Sequence, residues 1–135
     1  MSPSSKIMII DDEPDIREYL MAALEDNEYV PCTVMDNETV LNAVNREKPD
    51  LIILDIMMPR QSGISVYKDL RASEIARDIP VALISGLATS KEMMTTDLID
   101  AIDAGQIPTP DGFIEKPVRL VNFLNMVKEL LDQGA

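Results

Sequence analysis

The 135-residue sequence contains no histidine, no tryptophan and only one cysteine, Cys32. Because histidine is absent, the chain cannot use Ser-His-Asp or Cys-His nucleophile activation, a histidine zinc site or a phosphohistidine of its own. A single cysteine cannot form an intramolecular disulfide bond. Any chemistry on this chain must therefore come from carboxylates, hydroxyls and amines.

Aromatic residues are also scarce, at 4% of a chain that is 46% hydrophobic. The core is therefore expected to be aliphatic, with the nine methionines mostly filling it. No apolar run approaches the roughly 18 residues that a transmembrane helix needs. The first apolar run is short and ends in carboxylates, unlike a signal peptide. We therefore expect a cytoplasmic protein with no membrane partner.

Positive charge is in short supply, since 12 Lys and Arg face 24 Asp and Glu, for a formal net charge of −12. Such a surface repels nucleic acid and anionic lipid, so no direct nucleic-acid binding is expected. The length corresponds to about one domain. We place this domain at residues 6–132, between a flexible leader at 1–5 and a flexible tail at 133–135.

Short apolar runs alternate along the chain with segments of helical periodicity. Strands are predicted at residues 6–10, 29–35, 51–54, 81–84 and 113–115, and helices at about 15–24, 37–45, 63–73, 90–104 and 120–131. Five such repeats predict an α/β fold, a (βα)5 open parallel sheet with helices on both faces, as in a flavodoxin-like three-layer sandwich. Pro31 cannot donate a ladder hydrogen bond, which puts the second strand at an edge and favours the order 2-1-3-4-5.

Polar side chains stand where the predicted strands end, and these ends share one edge of a parallel sheet. They are Asp11 and Asp12 after the first strand, Asp55 after the third, Ser85 after the fourth and Lys116 after the fifth. Three converging carboxylates would repel one another, and a hard cation such as Mg²⁺ would relieve that repulsion. A lysine and a hydroxyl could bind phosphoryl oxygens. The set indicates phosphoryl transfer to a carboxylate.

These residues resemble the receiver domain of two-component response regulators, of the chemotaxis-regulator type, over residues 6–131. The matching positions are Asp11-Asp12, Asp55 followed by Met58-Pro59 and Gly63, Ser85, and Lys116-Pro117. The resemblance implies that Asp55 accepts a phosphoryl group from a phosphohistidine on a sensor histidine kinase or a histidine phosphotransfer protein. It implies no enzyme apart from self-catalysed phosphorylation and dephosphorylation.

The resemblance also implies a role for each site residue. Asp11, Asp12, an oxygen of Asp55 and the main-chain carbonyl of Met57 would hold Mg²⁺, and Lys116 and Ser85 would bind the phosphoryl group. Phe113 matches an aromatic switch position. The output would be a changed surface on the fourth helix, fifth strand and fifth helix, which binds a downstream protein or a second copy in a phosphorylation-dependent homodimer.

Two features depart from that family or bear on the lifetime of the phosphoryl group. The spacing from Ser85 to Lys116 is longer than usual, and the excess in residues 87–111 would either specify a partner or be a tolerated loop. Met57 and Leu87 offer no group to orient an attacking water. We therefore predict that labelled protein loses its phosphoryl group over much longer than seconds.

Two other functions remain open on the sequence. One is a small Mg²⁺-dependent phosphohydrolase with an aspartyl-phosphate intermediate, although that family would have an aspartate where this chain has Met57. The other is a degenerate receiver that acts as a constitutive docking module. Labelling by acetyl phosphate and turnover of a phosphomonoester separate the three.

Overall fold

The structure, a computed structural model, describes residues 4–56, 63–85, 100, 104–105, 108 and 110–133. The strands are β1 (Lys6–Ile10), β2 (Val30–Thr33), β3 (Leu51–Asp55), β4 (Val81–Ser85) and β5 (Gly112–Glu115). The helices in these ranges are α1 (Pro14–Asp26), α2 (Val40–Glu47), α3 (Gly63–Ala72) and the C-terminal helix (Leu120–Gln133). Most of the helix predicted at 90–104 lies outside the described residues.

All strand pairs are parallel, and the order is β2-β1-β3-β4-β5. The predicted fold and strand order are therefore confirmed. In the register, Ile7 lies between Pro31 of β2 and Leu51 of β3. Pro31 thus sits on the edge strand, where its missing N–H group costs no hydrogen bond within the sheet.

The sheet separates two hydrophobic clusters, because successive side chains of a strand point to opposite faces. Ile7 and Ile9 of β1 pack with α1 and the C-terminal helix, while Met8 and Ile10 pack with α2 and α3. Every residue of β3 is buried, as expected for a strand covered on both faces. Within the described residues, no helix is long and apolar enough to cross a membrane.

The region around α2 differs from the sequence prediction. The strand predicted at residues 29–35 ends at Thr33, and α2 begins at Val40 rather than near residue 37. Asn37 has a left-handed φ of 62°, which interrupts a right-handed helix. Thr39 caps α2, because its side chain accepts a hydrogen bond from the Asn42 amide. Local cap chemistry therefore sets this boundary.

Gly112, the first residue of β5, allows the C-terminal helix to pack closely on the sheet. A Cβ atom here would lie 3.0 Å from Met126 Sδ, 3.1 Å from Leu130 Cδ1 and 3.3 Å from Ala82 Cβ. We expect Gly112→Ala to lower the free energy of unfolding by about 1–2 kcal/mol, because overpacking forces neighbours to shift. Urea denaturation would measure it. If crowding against Met126 is the cause, the same substitution lowers the free energy of unfolding by less in a Met126→Ala background. An unchanged urea midpoint for Gly112→Ala would mean that the helix shifts without loss of stability.

Candidate functional site

The adjacent central strands β1 and β3 bring two aspartates together at the carboxyl edge of the sheet. Ile10 pairs with Leu54, so Asp11 directly after β1 lies beside Asp55, the last residue of β3. Both are buried, with relative exposures of 5% for Asp11 and 1% for Asp55. Two buried carboxylates are costly to ionise unless cations or donors compensate them.

Lys116 follows β5 and supplies a compensating charge. Its Nζ atom donates a hydrogen bond to Asp55 Oδ2 at 2.9 Å. The same nitrogen lies 3.9 Å from Asp11 Oδ2 and 3.5 Å from Glu13 Oε1. Burial by itself lowers the pKa of Lys116, but the hydrogen bond to Asp55 and the surrounding negative charges outweigh it and raise that pKa. Lys116 therefore remains protonated at this site.

Asp11 is only partly satisfied. Its Oδ1 atom accepts a hydrogen bond from the Glu13 amide at 2.9 Å, whereas the buried Oδ2 atom has no hydrogen-bond partner among the residues that the structure describes. Its main-chain carbonyl accepts one from Arg17 Nη1 at 3.0 Å. Burial raises the pKa of Asp11 to about 6; the Glu13 amide opposes that rise, and the charge of Asp55 adds to it. Asp11 therefore has an oxygen available for another cation.

A third carboxylate completes a possible metal site. Ligand oxygens of Asp11, Glu13 and Asp55 all lie within 4.8 Å of one another. Among the described residues, three carboxylates surround the Lys116 ammonium, and one of their buried oxygens accepts no hydrogen bond there; this arrangement fits a hard divalent cation. The sequence analysis did not name Glu13, although its place directly after Asp11-Asp12 and before Pro14 of α1 was a usable signal. Asp12, which it named as a metal ligand, is exposed like Glu13 and is not one of these three residues, so its role remains a prediction.

The other predicted residues are less fully described. Ser85 is the last residue of β4 and pairs with Glu115, but its side chain lies outside the described part of the structure. Phe113 lies in β5 and is 40% exposed. The predicted carbonyl ligand Met57 and the neighbouring position Leu87 fall outside the described residues.

A cavity of about 620 Å³ opens next to this site. It lies between the β1–α1 turn, the β2–α2 loop and α3, and Asp11, Asp12 and Arg17 are among the residues that line it. Neither Asp55 nor Lys116 is among those described lining residues. The cavity therefore lies beside the three carboxylates, on the side of Asp12, and the Asp55–Lys116 pair does not line it.

Known proteins share both the sequence pattern and the fold. The chain is 30% identical to the phosphate regulon transcriptional regulatory protein PhoB of Escherichia coli over 126 residues, which are 93% of this chain and 51% of that protein. It spans about half the length of the curated relatives it matches. A signal receiver domain of a histidine kinase from Syntrophus aciditrophicus superposes with a TM-score of 0.73 at 29% identity, over 96% of this chain and 92% of that one.

NtrX from Brucella abortus superposes with a TM-score of 0.77 at 26% identity, over 97% of this chain and 27% of the longer one. The family model for the response regulator receiver domain matches residues 7–128, which include Asp11, Asp55 and Lys116. This match covers most of the chain and includes both edge strands, β2 and β5. The chain therefore belongs to the family of response regulator receiver domains.

Proposed function

We propose that this domain is the phosphoacceptor of a two-component phosphorelay and that Asp55 is the residue phosphorylated. One observation carries the proposal: a buried aspartate at a strand end is hydrogen-bonded to Lys116 at 2.9 Å, beside an Asp11 oxygen for which the described part of the chain provides no hydrogen-bond partner. A purely structural aspartate would have no need of a second buried carboxylate next to it. The arrangement is suited to an incoming phosphoryl group.

In the proposed step, an oxygen of Asp55 attacks the phosphorus of a phosphohistidine on a sensor histidine kinase or a phosphotransfer protein. The P–N bond breaks as the P–O bond of an acyl phosphate forms, and the released imidazole takes up a proton. Lys116 lies close enough to follow the transferring group and neutralise part of its charge. Since the reaction exchanges one phosphorus bond for another, positioning and electrostatics supply most of the catalysis.

Asp11, Asp12 and Asp55 would hold Mg²⁺, with Glu13 and the main-chain carbonyl of Met57 as further ligands. When bound, the ion neutralises phosphoryl oxygens. Asp11 suits this role because its main chain is held by Arg17 and one carboxylate oxygen by the Glu13 amide. Its remaining oxygen stays available. Glu13, with a 62% exposed side chain, can adjust its position more freely.

Phosphorylation adds about 1.5 to 2 negative charges and new hydrogen-bond acceptors at Asp55. Ser85 and Lys116, at the ends of β4 and β5, would bind the phosphoryl group and shift the population of the connected loops. The exposure of the Phe113 side chain on β5, now 40%, would then change. The surface of β5 and the neighbouring helices would bind a downstream protein or a second copy, and a cytoplasmic location fits this role.

The test is labelling with acetyl phosphate and Mg²⁺, followed by intact-mass measurement. Wild-type protein is expected to gain one phosphoryl group per chain, and Asp55→Asn none, because the amide is not a nucleophile. Asp26→Asn, an exposed aspartate at the end of α1, serves as the matched control and labels like wild type. Persistent labelling of Asp55→Asn, or an unlabelled wild-type protein, contradicts the assignment.

The same samples separate the alternative functions. Continuous release of phosphate from a phosphomonoester by wild type would indicate a phosphohydrolase. A correctly folded wild-type protein that takes no label but still binds a partner would indicate a constitutive docking module. A requirement for Mg²⁺ is expected, so that chelation with EDTA stops labelling.

A further inference from the structure

A buried arginine that the proposed phosphorylation does not use lies at the end of α3. The Arg71 side chain is only 8% exposed. Its Nη1 atom donates hydrogen bonds to the carbonyl oxygens of Arg77 at 3.0 Å and Ile79 at 2.8 Å. Its Nε atom donates to the Tyr67 hydroxyl at 3.2 Å, and its Nη2 atom donates to Asp111 Oδ2 at 2.6 Å. One guanidinium thus joins α3, the α3–β4 connection and the residue before β5.

Tyr67 extends this network to the chain that precedes β5. Its side chain is fully buried, and the Arg71 guanidinium lies 5.1 Å from its ring centroid. The Tyr67 hydroxyl donates to the Pro108 carbonyl at 2.8 Å. Asp111 is bound twice more, because its Oδ2 atom accepts from the Val81 amide at 2.9 Å and its own amide donates to the Val81 carbonyl at 3.0 Å. Pro108 is therefore held by α3, and Asp111 by both α3 and β4.

These contacts lie at the amino edge of the sheet, opposite the acceptor site. Val81 begins β4 and Gly112 begins β5, whereas Asp55 and Ser85 end their strands at the carboxyl edge. Residue 85 therefore ends β4 at the edge near Asp55, and residue 112 begins β5 at the opposite edge. The network holds Pro108 and Asp111, which precede β5.

The energetic balance favours a network that does not open during signalling. Releasing Pro108 and Asp111 would break the Tyr67–Pro108 hydrogen bond, the Arg71–Asp111 ion pair and both hydrogen bonds between Asp111 and Val81. The Asp111 side chain is 40% exposed, but the Arg71 side chain is only 8% exposed, so loss of its carboxylate partner leaves a largely desolvated cation. A regulatory ligand typically changes an equilibrium by only about 5- to 150-fold, which is less than the loss of these four contacts together.

We infer that Tyr67, Arg71 and Asp111 form a fixed anchor, which holds Pro108 on α3 and Asp111 on α3 and β4 in both phosphorylation states. Any rearrangement between β4 and β5 on phosphorylation is then confined to residues before 108; this second statement rests on the proposed function of Asp55.

Hydrogen exchange measured by mass spectrometry tests the anchor without any phosphorylation. Tyr67→Phe removes only the hydroxyl, and peptides covering residues 104–113 are expected to exchange about fivefold to tenfold faster, as for the loss of one or two ordinary hydrogen bonds. Tyr19→Phe, which removes an exposed hydroxyl on α1, is the matched control and leaves this exchange unchanged. Equal exchange in Tyr67→Phe and wild type would overturn the anchor. If Tyr67→Phe folds poorly, Asp111→Asn replaces it and weakens the Arg71 ion pair.

Beryllofluoride with Mg²⁺, a mimic of the phosphoryl group, tests whether the anchor stays closed. Wild-type peptides that end at Asp111 and cover 104–111 are expected to exchange at the same rate with and without it, while peptides from residues 86–103 change. Faster exchange in 104–111 on addition of beryllofluoride would refute a fixed anchor. Absence of any change near Asp55 would instead count against the phosphoacceptor role, and the Tyr67→Phe result would still decide the anchor.

Discussion

Lys116→Met is expected to lower the free energy of unfolding of the metal-free protein by about 3 kcal/mol, at the low end of the range for breaking a buried ion pair. Methionine keeps most of the aliphatic stem but removes the ammonium that lies 2.9 Å from Asp55 and 3.9 Å from Asp11. Two nearly inaccessible carboxylates are then left without that cation. In a domain of this size the loss corresponds to about 10 °C in Tm, which thermal denaturation in EDTA would detect.

A control variant separates the effect of losing this ion pair from the general effect of replacing a lysine by methionine. Lys128→Met removes an exposed lysine from the C-terminal helix and is expected to change Tm by no more than about 2 °C. Asp55→Asn combined with Lys116→Met should recover much of the loss, because the buried charge and its partner disappear together. Mg²⁺ should also restore part of the stability of Lys116→Met. A Lys116→Met protein as stable as wild type would show that Asp55 does not depend on this cation.

The sequence was most informative where one physical requirement dominated. The continuous apolar runs of β1 and β3 predicted strands covered on both faces, and Pro31 alone placed β2 at the edge of the sheet. Both follow from backbone hydrogen bonding and burial, which act at the level of single segments. The position of Asp55 followed from the same logic, because a polar residue that ends a buried strand of a parallel sheet must lie at the carboxyl edge.

The first residues of helices and the positions of individual side chains were harder to predict, because they depend on contacts with neighbouring groups. Helix α2 begins late because Asn37 adopts a left-handed φ and Thr39 provides the cap. The choice between Asp12 and Glu13 depends on how the turn after β1 directs each side chain, which helical or strand periodicity does not specify. Tyr19 stands three residues after Ile16 and four before Ala23, which is the spacing of a buried helix face, but its side chain is 48% exposed. The partner of Tyr67, Pro108, is 41 residues away along the chain, and spacing gave no signal for that contact.

Asp11→Asn is expected to do the opposite of Lys116→Met and stabilise the metal-free protein, by about 1–2 kcal/mol at pH 7. Burial and the neighbouring charge of Asp55 hold the pKa of Asp11 at about 6 instead of 3.8, so its ionisation opposes folding at neutral pH. One pKa unit corresponds to about 1.4 kcal/mol, and solvent at the open edge of the sheet screens part of that energy. Asparagine keeps an uncharged oxygen that can accept the hydrogen bond from the Glu13 amide.

The same shift fixes the sign of a pH dependence. Because the folded-state pKa lies above the ordinary value, the folded protein binds more protons than the unfolded chain at pH values between about 4 and 6. The contribution of Asp11 to the stability of the metal-free protein therefore improves as the pH falls from about 7 to about 4, and Asp11→Asn should lack that contribution. The difference in Tm between the two proteins, measured in EDTA against pH, isolates the effect of Asp11 from that of other carboxylates.

Mg²⁺ should reverse the ranking of the two proteins. Wild type is expected to gain stability as the ion is added, because binding to the folded state shifts the equilibrium by mass action, whereas Asp11→Asn should respond weakly. Asp26→Asn is the charge-matched control, and it should follow wild type both in EDTA and in Mg²⁺. A Tm for Asp11→Asn below that of wild type in EDTA would mean that the carboxylate is stabilising as it stands. The Asp11 carboxylate would then need no cation beyond Lys116, and the metal site would have to be sought elsewhere.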